Sequence, residues 1–289
     1  MTESLDLQNL EVFPHGEEIP ERLDEQHIFT TQTLGFLIHP NIFKTLTAPS
    51  LKIADIGTGT GIWILDVSST LPTTAQLTGY DISSDAFPKS HPSNVSFKTY
   101  DMLTPFPDSE LGAYDLVAIR FVSVATPREE WKRAISNLLT LLKPGGWLQW
   151  IDSCNFALYN SIPGTSRAAC REIWDGLQPL REKEDPVIGM MMSGGGDVHR
   201  EDIWKDLGLE KVHEDVFSTD RIQDKELKLR KKGTTNAIVC FLGCLEGFVG
   251  EREGWSKEKV EELRQKAMTE IEEGVYHTLD QVCIIGRKM

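Results

Sequence analysis

The sequence predicts an α/β fold: a seven-stranded, mostly parallel sheet with helices on both faces and a helical cap. Three observations carry this reading. Strand-like apolar runs alternate with amphipathic helical patterns from about residue 51 to 152, the order that generates right-handed crossovers and a parallel sheet covered on both sides. A glycine-rich turn in "IADIGTGTGIWILD" (53–66) joins the first strand to the first crossover helix. Beyond Asp152 the alternation loosens, with longer helical patterns on either side of a sixth strand and a seventh strand closing the chain.

Ahead of the alternation, residues 1–20 are polar and acidic without clear periodicity, whereas "RLDEQHIFTTQTLGFLIHPN" (22–41) spaces its apolar residues as a helix does and predicts one stopped near Pro40. "LKIADIG" is the first strand and "TGIWILDVSSTL" an amphipathic helix ended by Pro72. "AQLTGYDIS", "NVSFKTYD" and "YDLVAIRFV" are the second, third and fourth strands. "PREEWKRAISNLLTLLK" is a helix with Pro127 at its entry and Pro144–Gly145 at its exit, and "GGWLQWID" a fifth strand ending at Asp152. Residues 153–206 hold a helix around 166–178 and the glycine-rich "MMMSGGGDVHRED". "LEKVHEDVFSTD" reads as a sixth strand, "TNAIVCFLGCLEGFVG" and "SKEKVEELRQKAMTEIEEG" as two helices, and "LDQVCIIGRK" as a seventh strand.

Composition narrows the function classes. A chain of 289 residues with 30 Lys and Arg against 44 Asp and Glu carries a net charge of −14, with acids spread along its length. Nucleic-acid binding needs clustered cations to neutralise phosphates, and the one basic run, "KELKLRKKG" (225–233), is short and reads as a solvated helix end. Neither a nucleic-acid partner nor a membrane is expected; no apolar run reaches the length of a span. Five cysteines without a CxxC suit a reducing compartment, and no metal site is expected. The acidic N-terminal residues resemble neither a signal nor a transit peptide, so the expected location is cytoplasmic. Of the seven histidines, His15, His39 and His91 read as loop residues and His213 as structural.

The glycine loop defines the ligand class. In an open parallel sheet, ligands bind at the carboxyl ends of the strands near the switch point. Counting from Gly57 or Gly59, the last place of the dinucleotide pattern G-x-G-x-x-G falls on Ile62 or Ile64, and the Gly-Lys-Ser/Thr of a Walker loop is missing. What stands there is D-x-G-x-G-x-G, Asp55 to Gly61. Twenty residues beyond Gly61, Asp81 ends the second strand, where a carboxylate can accept hydrogen bonds from two ribose hydroxyls. Asp101 ends the third strand, where it can meet an exocyclic amino group such as that of adenine, or simply close a turn. The ligand thus carries an adenosine with a non-phosphate group over the glycines.

"ADIGTGTG", "GYDIS", "YDML", "YDLVAIRF" and "LLKPGGWLQWID", in that order between about 51 and 152, resemble the successive motifs of class I S-adenosylmethionine-dependent methyltransferases. "ERLDEQH", the "RF" after strand 4 and the tail "EGFVGEREGWSKEKVEELRQKAMTEI…GRK" resemble the fungal secondary-metabolism branch of that superfamily, whose members tailor natural products or belong to regulators of their synthesis. The resemblance implies a Rossmann-like fold, S-adenosyl-L-methionine as cofactor and a small-molecule acceptor. It implies a helical segment over residues 1–50 that covers the cofactor, then a methyltransferase domain over 51–289 with cap insertions at about 153–206 and 220–275. It also assigns roles. Gly57, Thr58, Gly59 and Gly61 form the loop under the methionine part, with Asp55 tying the loop and the amino group. Asp81 holds the ribose; Ile82 packs on the adenine; Asp101 meets its amino group, with Met102 alongside. Arg120 and Phe121 face the methionine end, and Arg22 and His27 lie on the covering helix.

Methyl transfer from a sulfonium is an in-line displacement that depends chiefly on near-attack geometry. A general base is needed only where the acceptor still holds its proton. His199 in the glycine-rich cap and Asp152 at the end of strand 5 are the candidate catalytic residues. Ile238, Phe241, Leu242, Leu245 and Phe248, with Met190–Met192, suit either an apolar acceptor or plain core. The function expected is methylation at oxygen, nitrogen or sulfur of a small, largely apolar natural product. The same cofactor site serves a fold relative that catalyses a non-methylating rearrangement such as a pericyclic reaction, or a methyltransferase-like regulatory subunit with a protein partner.

Overall fold

The computed structural model describes residues 18–122, 126, 130–177, 201–222, 228–246, 249 and 254–289. They fall into two compact units, one built from the described residues within 27–156, 201–222 and 279–289 and the other from those within 18–26, 157–177 and 228–278.

The first unit holds the sheet, apart from the last residues of its fifth strand and the first residues of its seventh. Its strands are β1 (Lys52–Ile56), β2 (Gln76–Asp81), β3 (Val95–Thr99), β4 (Tyr114–Arg120), β5 (Leu142–Asn160), β6 (Leu209–Ser218) and β7 (Val275–Lys288), in the order β3-β2-β1-β4-β5-β7-β6. β1 pairs in parallel with both β2 and β4, β2 with β3, and β4 with β5, whereas β6 and β7 are antiparallel. The switch point therefore lies between β1 and β4, and a ligand crevice is expected at their carboxyl ends.

The sequence explains why the sheet has two covered faces. Alternate residues of β4 divide between two clusters: Val117 and Ile119 pack with Trp131, Ile135 and Leu138 of helix α4 (Trp131–Leu141), and Leu116 and Ala118 with Trp63, Ile64 and Val67 of helix α3 (Ile62–Thr70). A strand buried on both sides reads as an unbroken apolar run, as "LVAI" does. The Trp131 and Trp150 rings stack at 5.1 Å across the α4 face.

Two boundaries differ from the sequence reading. Helix α1 (Glu18–Leu34) ends six residues before Pro40, because Gly35 takes a left-handed φ of 81° and its N–H donates to Thr31 O at 2.8 Å. Pro40 instead opens a short helix, α2 (Pro40–Phe43), whose cap is His39: its Nδ1 accepts from Asn41 N at 3.1 Å. His39 is buried rather than a loop residue of no consequence, and its Nε2 meets Asp215 Oδ2 at 2.7 Å. Asp215 in turn lies 3.1 Å from His213 Nε2, and these are the described residues that group as a metal set would. The cap bond makes Nδ1 of His39 the acceptor, so Nε2 carries the proton given to Asp215. The second difference is β5, which passes through Asp152 and runs to Asn160. The alternation continues in "SCNFALYN", where Cys154 and Leu158 are buried, and punctuation arrives only with "SIPG".

The second unit holds helices α5 (Ala168–Gly176), α7 (Lys228–Glu246) and α8 (Lys257–Glu272), while α6 (Glu201–Asp206) precedes β6 in the first. Ile238, Phe241, Leu242 and Leu245 of α7 are buried, and Phe241 packs on the Trp174 ring at 5.2 Å. These residues are core, and Phe248 and Met190–Met192 lie outside the described residues. The five cysteines are free thiols. No helix among the described residues is long and apolar enough to cross a membrane.

One buried acid staples this unit. Glu270 of α8 accepts from Ala169 N at 3.1 Å, Cys170 N at 2.9 Å and Ser166 Oγ at 2.6 Å, closing the open donors at the start of α5. Burial raises its pKa, but the Cys170, Ser166 and Ala169 hydrogen bonds together outweigh it and hold the carboxyl below 4.5. A depressed folded value means stability present above the unfolded pKa and lost as pH falls through the folded one. Glu270→Ala should cost about 2–4 kcal/mol in urea unfolding at pH 7, leaving two buried N–H groups unpaired. The difference from the native chain should shrink on acidification below about pH 4.5; a cost that stays constant with pH would contradict this account.

Candidate functional site

Gly57, Gly59 and Gly61 connect β1 to α3, with φ of 67°, 54° and 75°. Each stands in the left-handed region that side-chain-bearing residues avoid. Space matters as much as dihedral. A Cβ on Gly57 would fall on Val122 Cγ1, and one on Gly61 on the Phe97 ring. Two of the three glycines are therefore demanded by protein neighbours, a reason that spacing alone does not reveal.

Two acids hold the loop. Thr58 Oγ1 donates to Asp55 Oδ2 at 2.7 Å, and Gly59 N donates to Asp81 Oδ2 at 2.8 Å. Asp81 Oδ1 accepts from Ser83 N at 3.2 Å, and Ile82, next in the chain, is 67% exposed at the carboxyl end of β2. Asp55 is fully buried, and its Oδ1 has no hydrogen-bond partner among the described residues. Burial pushes its pKa up to about 6, against the pull of the Arg120 charge and the Thr58 hydroxyl.

Arg120, the last residue of β4, supplies the opposite charge. Burial lowers its pKa; Asp55 and then Asp66 oppose that. Its guanidinium lies 5.5 Å above the Trp63 ring, its Nη1 meets His27 Nδ1 at 3.1 Å, and its Nε is buried without a hydrogen-bond partner among the described residues. The next residue, Phe121, is a rare non-glycine at positive φ, 54°, with its N–H on Ile151 O at 3.0 Å. Such strain concentrates where a side chain must be aimed. His27, on α1, is 3% exposed, and its Nε2 lies 2.9 Å from Asp66 Oδ2.

Asp55, Thr58, the loop glycines, Asp81, Arg120 and His27 thus form one connected set at the β1–β4 switch point. Asp101 lies beside it in sheet order, two residues past the Asp81↔Thr99 register pair. There it closes a turn, with Oδ1 accepting from Leu103 N at 2.8 Å. Met102 packs against the α4-side core, and its carbonyl accepts from Asn137 Nδ2 at 3.0 Å. Asp152 lies inside β5 rather than at its end, 2% exposed, with contacts from Trp150 Nε1 at 3.4 Å and Ser153 N at 3.1 Å. His199 lies outside the described residues. Sequence reasoning missed Asp66, which carries no local signal on a helix face.

A model of the methyltransferase domain matches residues 53–146, the span from β1 to the start of β5. The N-methyltransferase tcpN of Claviceps purpurea is 38% identical over 191 residues, covering 63% of this chain and 67% of that protein. The chain belongs to the class I S-adenosylmethionine-dependent methyltransferases, in their fungal secondary-metabolism branch. Two further members of this branch are similar to it. Methyltransferase grgD of a Penicillium species is 38% identical over 144 residues (47% of this chain, 49% of that protein). The N-methyltransferase sirN of Leptosphaeria maculans is 42% identical over 131 residues (45% of each). The chain matches these two over about half their length.

The methyltransferase residues fit the cofactor of this family. S-adenosylmethionine ends in an amino-acid group with one ammonium and one carboxylate. Among the described residues the site offers one buried carboxylate oxygen without a hydrogen-bond partner, on Asp55, and one such guanidinium nitrogen, on Arg120. Buried polar atoms left unpaired are costly, and a zwitterion offers one group of the polarity each would need.

Proposed function

We propose that this chain methylates a nitrogen of a small natural product in fungal secondary metabolism. The observation that carries the reading is a pair of buried polar atoms, Asp55 Oδ1 and Arg120 Nε, that have no hydrogen-bond partner among the described residues and stand beside a glycine loop tied to Asp81. When bound, S-adenosylmethionine supplies a methyl group made electrophilic by its sulfonium. In this reading Asp55 receives the ammonium, and Arg120 the carboxylate, of the methionine end. Asp81 binds the ribose hydroxyls. Ile82 packs on the adenine, and Asp101, beside Met102, takes its amino group. Nitrogen as the accepting atom is favoured by the names of tcpN and sirN, both called N-methyltransferases. The insertions at about 153–206 and 220–275, outside the matched span, carry acceptor specificity, as loops on a rigid sheet commonly do. A neutral amine attacks without a base and its product sheds the proton to solvent, so for an amine His199 and Asp152 serve orientation, whereas an amide nitrogen requires one of them to take its proton.

The test is incubation of the purified chain with methyl-labelled cofactor and a panel of small molecules offering amine, amide, hydroxyl or thiol groups. Label on an amine or amide nitrogen is the expected result. Transfer only to oxygen or sulfur would refute the nitrogen assignment. Tight cofactor binding with no transfer to any acceptor would refute methyl transfer itself.

A further inference from the structure

Arg120 is buried on a strand end with several partners, and one of them reaches further. A guanidinium offers donors only. Where its Nη1 meets His27 Nδ1 at 3.1 Å, that nitrogen must present a lone pair. The His27 proton therefore sits on Nε2 and is donated to Asp66 Oδ2 at 2.9 Å. Reversing the tautomer, or protonating the ring, would set N–H against N–H inside the protein. Three elements thus line up, with Asp66 on α3, His27 on α1 and Arg120 at the end of β4. His27 is 3% exposed while the Asp66 side chain is 54% exposed. The order is fixed from the solvent side inward: carboxylate, imidazole, guanidinium. The same carboxylate adds a second negative charge acting on Arg120, after Asp55.

We propose that Asp66 is a positioning residue for the cofactor's methionine end. It selects the Nε2–H tautomer of His27, and the resulting Nδ1 lone pair holds one edge of the Arg120 guanidinium while Nε stays unpartnered. The Trp63 ring, 5.5 Å from the guanidinium, fixes the remaining freedom of the plane. This arrangement matches the way a second-layer carboxylate sets the tautomer of a functional histidine elsewhere in proteins. The proposal rests on the assignment of Arg120 to the cofactor carboxylate.

The experiment compares the native chain, Asp66→Asn and Asp66→Ala. Calorimetry measures binding of S-adenosylmethionine and of methylthioadenosine, which shares the adenosine but lacks the amino-acid end. An amide oxygen still accepts from Nε2–H, so Asp66→Asn should weaken S-adenosylmethionine less than about threefold, and Asp66→Ala about tenfold. Methylthioadenosine should bind all three proteins equally. Equal loss for both ligands in Asp66→Ala, or no loss for either, would overturn the proposal. Long-range proton–nitrogen NMR of the histidines in the native chain gives an answer independent of any variant's folding. The Nε2–H form of His27 is expected, and Nδ1–H would overturn the proposal. Native protein that binds neither ligand while showing the Nε2–H tautomer would instead refute the underlying cofactor assignment.

Discussion

Asp81→Ala is expected to weaken S-adenosylmethionine binding by about a hundredfold or more, from hydrogen bonds to a charged group worth roughly 1.5–3 kcal/mol each. A carboxylate accepts about four hydrogen bonds. In this structure Gly59 N occupies one oxygen of Asp81 and Ser83 N the other, which leaves acceptor capacity for the two hydroxyls of a ribose. Alanine removes that capacity and also releases Gly59 N, so the loop under the methionine end loses one of its two ties. Asp81→Asn keeps one acceptor for the loop and places an amide donor where hydroxyls would donate, so an intermediate loss is expected. Isothermal calorimetry with S-adenosylmethionine and with adenosine separates the contributions: both ligands should weaken. Unchanged affinity for either in a folded Asp81→Ala protein would remove Asp81 from the ribose site.

Much of this was legible in the chain because it is local. The succession of strands and crossover helices follows from alternating patterns, and D-x-G-x-G-x-G with Asp81 twenty residues on points to the right strand ends. What was illegible depends on distant partners. Gly35 ends α1 through a left-handed turn closed on Thr31, and a proline six residues after the helix end is the louder but wrong signal. β5 outruns Asp152 because residues of β7 lie beside it, a pairing across more than a hundred residues of sequence. His39 reads as a loop residue, yet Gln149 Oε1 accepts from its N–H at 2.7 Å and Asp215 takes its ring. Asp66 reads as one more polar residue on a helix surface; only α1, folding back to place His27 at 2.9 Å, gives it a role. The apolar stripe of α7 is a case the sequence leaves open. Its periodicity is the same whether it lines a cavity or fills a core, and the structure makes it core.

Asp55 is where stability and binding are expected to pull apart. Its pKa is raised to about 6 by burial, despite Arg120 and Thr58. A carboxyl with a folded pKa above its unfolded value of 3.8 binds more protons in the folded state between the two, so folding weakens as pH rises across that window. At neutral pH the cofactor-free protein therefore carries an ionised group that its surroundings disfavour. Asp55→Asn keeps an oxygen for the Thr58 hydroxyl and removes the charge. It should stabilise the cofactor-free protein at pH 7.5 by about 1–3 kcal/mol, the upper end being two pKa units and the lower end allowing for the counter-charge withdrawn from Arg120. The same change should weaken S-adenosylmethionine about a hundredfold, because a neutral amide cannot offset the ammonium in a buried site. Thermal unfolding with and without cofactor reads both effects at once: a higher midpoint for the free variant and a smaller shift on adding ligand. For the native chain, cofactor affinity should fall as pH drops through about 6 and the carboxylate is protonated, and the asparagine variant should lack that fall. A variant that is less stable when free yet still binds tightly would mean that Asp55 is a structural anion for Arg120 rather than the partner of the cofactor's ammonium.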